Sequence, residues 1–161
     1  MHDTALDAMA HLLLTDDWHD KSVLDVGSLD INGSYRSMVE LLGAHYTGID
    51  LASGQNVDVV TDDPYHYPFM ADSFDAVICG NTLHLVEYPW LLLPELARML
   101  KSGGLLAIVT VWQWGEHSPQ DRWRFMPGGL TTLFAMTGCF EERVQMKRYE
   151  DGTLAGSTRK R

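Results

Sequence analysis

The chain has 161 residues, 45% of them hydrophobic and 21% charged, a balance that suits one globular domain with a single substantial core. Its formal charge of −10, from 22 acids against 12 lysines and arginines, repels phosphate backbones and sets nucleic acid aside as a partner. No apolar run approaches the roughly 20 residues that span a bilayer, so no membrane association is expected.

The first stretch, "MHDTALDAMAHLLLTDDW", carries acids where a secretory signal carries bases. It reads as an amphipathic helix over about residues 3–15, ending near Asp16 and Asp17. "KSVLDVG" is a strand closing on a glycine turn, and "SYRSMVELLG" a helix stopped by Gly43. "HYTGIDL" and "NVDVV" are the second and third strands, and "SFDAVICGN" an apolar fourth. "WLLLPELARMLKSGG" reads as a helix with Pro94 near its first turn and Gly103-Gly104 as its stop. "LLAIVTVW" is a fifth strand, apolar throughout as when helices cover both faces. "PGGLTTLFAMTG" is a helix between Pro127 and Gly138, and two polar strands about Asp151-Gly152 read as a hairpin. The basic "STRKR" reads as a solvated end. Cys79 and Cys139 lie in apolar stretches without CxxC pairing, so buried reduced thiols and a cytoplasmic location are expected.

Such alternation implies an α/β domain with a mostly parallel sheet and an antiparallel hairpin strand at one edge. Ligands of open sheets bind beyond the carboxyl ends of the strands, so the residues after each strand are the candidates. After the first comes "DVGSLDINGSYR", where Gly27 follows Asp25 by two and the next glycine is Gly33. A dinucleotide loop needs G-x-G-x-x-G, which is absent. Asp50 follows the second strand, placed to accept bonds from ribose hydroxyls, or else is a solvated strand end. Asp62 and Asp63 follow the third, to meet an adenine edge or to cap a turn. Asn81 and His84 follow the fourth, and Trp112, Trp114, His117 and Asp121 the fifth. His84 reads equally as a helix-capping histidine, and Trp112, Trp114 and Trp123 as core anchors. A ligand with ribose and adenine contacts but no diphosphate fits this pattern, and S-adenosylmethionine is one.

"VLDVGS", "YTGIDL", "YPFMADSFDAVICGNTLHLVEYP", "ELARMLKSGGLLAIVT" and "DRWRFMPGGLTTLF" together resemble the class I S-adenosylmethionine-dependent methyltransferases of the type 11 kind, over roughly residues 22–140. Ser102 stands where proline is usual, and "GSLDINGS" resembles a GSLDxNGS variant of the usual glycine loop. The resemblance implies a single Rossmann-like domain with a mostly parallel seven-stranded sheet. It also implies S-adenosyl-L-methionine as cofactor and S-adenosyl-L-homocysteine as product. Cofactor contacts are expected from Asp25, Gly27 and Ser28, with loop N–H groups on the methionine carboxylate and Asp30 or Asn32 on its ammonium. Asp50, Leu51, Asp62, Asp63 and Asn81 complete that set, and no metal is expected.

The acceptor is expected to be a small molecule, a hydroxyl or amine of a sugar or secondary metabolite. A hydroxyl needs a general base, for which His117 is the first candidate and His84 the second. Arg122 and Arg124 are placed to bind an acidic acceptor or to pair with local acids. No sequence is inserted for a cap domain, so the acceptor side is open and suits a large acceptor or a homodimer that completes it. The rival readings are a non-catalytic S-adenosylmethionine-binding module in an assembly and a nicotinamide oxidoreductase.

Overall fold

The structure, a computed structural model, describes residues 3–161; Met1 and His2, at the start of the stretch read as the first helix, lie outside the described residues. The elements run α1 (Asp3–Leu13), β1 (Ser22–Val26), α2 (Arg36–Leu41), β2 (His45–Asp50), β3 (Val59–Val60), β4 (Phe74–Gly80), α3 (Pro89–Met99), β5 (Leu100–Val111), α4 (Pro127–Met136), β6 (Gln145–Arg148) and β7 (Thr153–Arg159). The strands form one seven-stranded sheet in the order β3-β2-β1-β4-β5-β7-β6. β1 to β5 pair in parallel, whereas β7 runs antiparallel to both β5 and β6.

Successive strand residues point to opposite faces, and both faces are apolar. Val23, Ala76, Ile78, Ala107 and Val109 pack under α1 and α2; Leu24, Val26, Val77, Cys79, Leu106 and Ile108 pack under α3 and α4. α1 presents Ala5, Ala8, Met9 and Leu12 at helical spacing to the first of these layers. It ends at Leu13, two residues short of the expected boundary, where the Trp18 indole donates to the Leu13 carbonyl at 2.5 Å.

Four expectations are corrected. α3 begins at Pro89, at the helix start where a missing N–H is harmless, and Pro94 lies well inside the helix rather than near its first turn. β5 then starts at Leu100, before the glycine pair taken as the helix stop. Phe74 pairs with Leu100 and Ala76 with Leu105, so residues 101–104 bulge out of the ladder. The hairpin places only β6 at the edge. β7 sits inside the sheet, with Thr153, Ser157 and Thr158 buried despite their hydroxyls. The "STRKR" end is no solvated tail: Arg159 Nη2 lies 2.6 Å from Asp16, Lys160 Nζ 2.7 Å from Asp72, and Arg161 donates to the Gly138 carbonyl. Cys79 is buried and Cys139 partly so, and neither forms a disulfide.

Candidate active site

Strand order reverses between β1 and β4, and the carboxyl ends there open into a cleft of about 970 Å³. That is ample for a nucleoside and an acceptor together. Each of the first five strands contributes to its wall: Gly27 and Leu29 after β1, Asp50 and Leu51 at β2, Thr61 after β3, Asn81 and His84 after β4, and Trp114 and His117 after β5. Asn32 also lines it. Asp25, Ser28, Asp30, Asp62 and Asp63, expected among the cofactor contacts, do not.

The reasons are local. Asp30 closes the glycine loop on itself, its Oδ1 accepting the Gly33 N–H at 2.7 Å. Asp63 caps a turn by accepting the Tyr65 N–H at 2.8 Å, and Asp62 beside it is exposed. In their place Thr61, Tyr65 and Tyr67 form that wall. Ser28 is buried, and its Oγ lies beneath Gly48. Tyr67 reads in the sequence only as the start of the "YPF" run, and Tyr65 lies just before it, outside any motif.

The glycine loop also differs from expectation in how its amides are used. Gly27 N–H and Ser28 N–H both donate to the Ile49 carbonyl, Leu29 N–H to Asp50 Oδ2 at 3.0 Å, and Asp30 N–H to the Gln55 carbonyl. These four donors hang the loop on β2 and on the segment after it, so they are not a cradle for a carboxylate. Gly27 itself has φ +78°, and a Cβ there would stand 2.1 Å from Thr82 Oγ1. Gly27→Val is therefore expected to cost about 1–3 kcal/mol of stability from overpacking and to abolish ligand binding. Asn32→Ala only weakens binding. Denaturant titration and calorimetry on the two variants check this, and equal effects from both contradict it.

Asp25 lies behind the loop, 2% exposed, on the α2 side of β1. Tyr46 Oη donates to its Oδ2 at 2.5 Å, and Asn56 Nδ2 donates both to that Oη and to the Ser28 carbonyl. Arg36 completes the group, its Nε donating to Asn56 Oδ1 and its guanidinium lying 4.2 Å from the centre of the Tyr46 ring. Burial pushes the Asp25 carboxyl up to about 7, against the Tyr46 bond that favours its ionised form. The spacing of "VLDVGS" marks the loop but not this support, whose partners come from α2, β2 and the β2–β3 segment.

The two histidines meet on the far side of the cleft, ring centres 5.6 Å apart. His84 is 2% exposed, with Nδ1 3.5 Å from Thr110 Oγ1, and its carbonyl accepts the N–H groups of Arg122 and Trp123. Those bonds tie the segment after β5 to the segment after β4. Burial holds the His84 imidazole down to about 4, so it is neutral and weakly basic at physiological pH. His117 is half exposed, with Nδ1 2.8 Å from Asp121 Oδ2. The Asp121 carboxylate is enclosed and gripped by Arg124 through Nη1 at 2.6 Å and Nη2 at 2.7 Å, which holds it down to about 2.

Arg124 is thus spent on Asp121 and on the Trp114, Gly115 and Trp123 carbonyls, whereas Arg122 lines the cleft with Glu87 3.9 Å away. Of the three tryptophans weighed, Trp114 lines the cleft and Trp112 and Trp123 pack against the core. One grouping escaped the sequence: single ligand atoms of His84, His117 and Asp121 lie within 4.8 Å of one another. A cation there would have to displace the His117 proton and sit beside the Arg124 guanidinium, so the donor set fits a proton better than a metal.

A nucleoside-sized cleft at the switch point, an acid ending β2 and no diphosphate loop define the class I methyltransferase architecture. The chain belongs to the methyltransferase domain family, whose model matches residues 24–108, just over half of its length. It is an S-adenosylmethionine-dependent methyltransferase. No curated protein matches its sequence. Among solved structures it is similar to a chain of the complex between the Haloferax volcanii Trm112 methyltransferase activator and a methyltransferase, at TM-score 0.76 and 19% identity over 98% of this chain and 88% of that one. An S-adenosylmethionine-dependent methyltransferase from Aquifex aeolicus gives TM-score 0.73 and 17% identity over 98% and 93%. The 1,6-didemethyltoxoflavin-N1-methyltransferase of Burkholderia thailandensis, solved with 1,6-didemethyltoxoflavin and S-adenosylhomocysteine, gives 0.75 and 19% over 98% and 79%.

The residues present fit the cofactor. Gly27 keeps the loop clear of side-chain bulk, Asp50 brings a carboxylate to the cleft wall at the end of β2, and Leu51, Tyr65 and Tyr67 supply apolar wall. No helix among the described residues is long and apolar enough to cross a membrane.

Proposed function

We propose that the chain methylates a small-molecule acceptor, a hydroxyl or amine of a sugar or secondary metabolite, with His117 as general base where the acceptor is a hydroxyl. The observation that carries this reading is His117 on the wall of the open cleft, paired with the enclosed Asp121 behind it. The small acceptor bound by the Burkholderia thailandensis neighbour and the net charge of −10 support a small-molecule over a nucleic-acid acceptor. S-adenosylmethionine supplies a methyl group on a sulfonium, already activated toward displacement. The protein's contribution is to align the acceptor, for which orientation is worth ~7–11 kcal/mol, and to receive a proton. His117 would take the hydroxyl proton as the acceptor oxygen becomes nucleophilic, and the bound cofactor would supply the methyl group and keep the released electron pair.

Within this reading "GSLDINGS" is a GSLDxNGS form of the glycine loop, and Asn32, Asp50, Leu51 and Asn81 hold the cofactor beside Gly27. The whole chain acts as one domain without a separate cap, and a homodimer is the simplest closure of its acceptor side. The unpaired cysteines favour a cytoplasmic setting.

Calorimetry with S-adenosylhomocysteine tests the cofactor side. At 100 times its dissociation constant the ligand adds about 2.7 kcal/mol of stability. Asp50→Ala is expected to lose roughly 1.5–3 kcal/mol of that affinity, the scale of charge-assisted bonds. The same change leaves the Leu29 amide without its acceptor, so the loop loosens as well. Unchanged affinity in Asp50→Ala means that the ribose is held elsewhere. Turnover across a panel of hydroxyl and amine acceptors tests the acceptor class.

A further inference from the structure

We propose that Asp121 is a positioning residue for methyl transfer: it fixes the His117 ring with its proton on Nδ1, leaving Nε2 as the lone pair that accepts the substrate proton, and Arg124 holds Asp121 for that task. The inference rests on the reading of His117 as base and names what makes it one.

The carboxylate is fully enclosed and carries the two-pronged Arg124 contact, so it is ionised and can only accept hydrogen bonds. Nδ1 at 2.8 Å must therefore be the donor. A neutral imidazole has one N–H, so Nε2 is bare. The His117 backbone N–H approaches the same oxygen at 3.3 Å, fixing main chain and ring to one anchor.

Arg124 does more than neutralise the acid. Its Nε donates to the Trp114 carbonyl at 2.8 Å, Nη2 to Gly115 at 3.0 Å and Nη1 to Trp123 at 2.7 Å. Both ends of the 114–124 segment are thereby drawn to one guanidinium. A lysine, with one compact ammonium, could not make that fork. These bonds describe a closed loop with the ring set in advance. The charged and titratable groups about His117 are Asp121, Arg124 and the neutral, buried His84. When His117 takes the substrate proton, the resulting cation keeps its Nδ1–H on Asp121, as in other carboxylate-oriented histidine bases.

Long-range proton–nitrogen correlation spectra of uniformly nitrogen-15-labelled protein distinguish bare from protonated ring nitrogens, and His117→Gln assigns the His117 signals by their loss. At about pH 9, where imidazole is neutral, His117 is expected to carry its proton on Nδ1. Asp121→Asn turns an amide N–H toward the ring, so the proton moves to Nε2 and kcat falls roughly 10²–10⁴-fold while S-adenosylhomocysteine affinity is nearly unchanged. A wild-type ring with its proton on Nε2, or an Asp121→Asn spectrum identical to wild type, overturns the proposal. If Asp121→Asn does not fold, the wild-type spectrum alone decides. The spectra need neither acceptor nor turnover, so failure here is distinct from failure of the base assignment, which shows only in the His117→Ala rate.

Discussion

His117→Ala is expected to lower kcat on a hydroxyl acceptor by ~10²–10⁴-fold, with S-adenosylhomocysteine affinity nearly unchanged. The size follows from what the ring does. A general base acts only as the acceptor oxygen becomes nucleophilic, so its loss raises the barrier without touching ground-state cofactor contacts. His84 does not substitute for it: an imidazole held down to about 4 is already a weak proton acceptor, and its Nδ1 is near Thr110 in the protein interior. His84→Ala is expected instead to leave a cavity where the buried ring packs against His117, while the main-chain carbonyl that holds the Arg122 and Trp123 amides stays in place. Steady-state rates on an acceptor found by panel screening decide the matter. Full kcat in His117→Ala on such a hydroxyl passes the role to another group.

Asp25→Asn is expected to stabilise the protein at alkaline pH relative to acid. An unfolded aspartate releases its proton near 3.8, whereas burial holds the folded Asp25 proton until about 7. Between those values the folded state binds more protons, so the Asp25 contribution falls as pH rises and is constant above about 7. At ~1.4 kcal/mol per unit, going from pH 5 to 8 removes ~3 kcal/mol in wild type that the asparagine keeps. His84 tilts the opposite way: its folded value near 4 lies below the ordinary 6.5, so its contribution grows as pH rises between them. The difference between variant and wild type, rather than either slope, isolates Asp25. Equal pH slopes in denaturant titrations of the two proteins contradict the buried, protonated carboxyl.

The same residue shows how far the sequence reaches. "VLDVGS" places a strand and a turn correctly, because five apolar-rich residues ending in a positive-φ glycine permit little else. Which side of β1 Asp25 takes depends on the period-2 alternation, and its role depends on Tyr46 and Asn56, more than 20 residues away. Asp50 was legible as a cleft residue, since the carboxyl end of the strand beside β1 opens onto the cleft by topology alone. Asp62 and Asp63 were not, because adjacent acids after a strand serve turn chemistry as readily as ligand contact. β7 misled through composition. Its threonines and serine look like a solvated strand, and only the antiparallel insertion between β5 and β6 explains why they are buried. The Asp121–His117–Arg124 arrangement was visible as three residues in one segment but not as one assembly, since loop closure depends on carbonyl positions.

The amides of Gly27, Ser28, Leu29 and Asp30 are all satisfied by the protein's own carbonyls and by Asp50. A loop built that way reaches its working conformation at folding, not at ligand encounter. Its conformational entropy is lost once, within the large ordering term of the whole domain. Binding then draws its free energy mainly from contacts and displaced water, with little subtracted for freezing the main chain. For a transferase that must release one nucleoside and take up another each cycle, entry and exit then need no refolding of the cleft wall. The rate of exchange rests with the open mouth rather than with the loop.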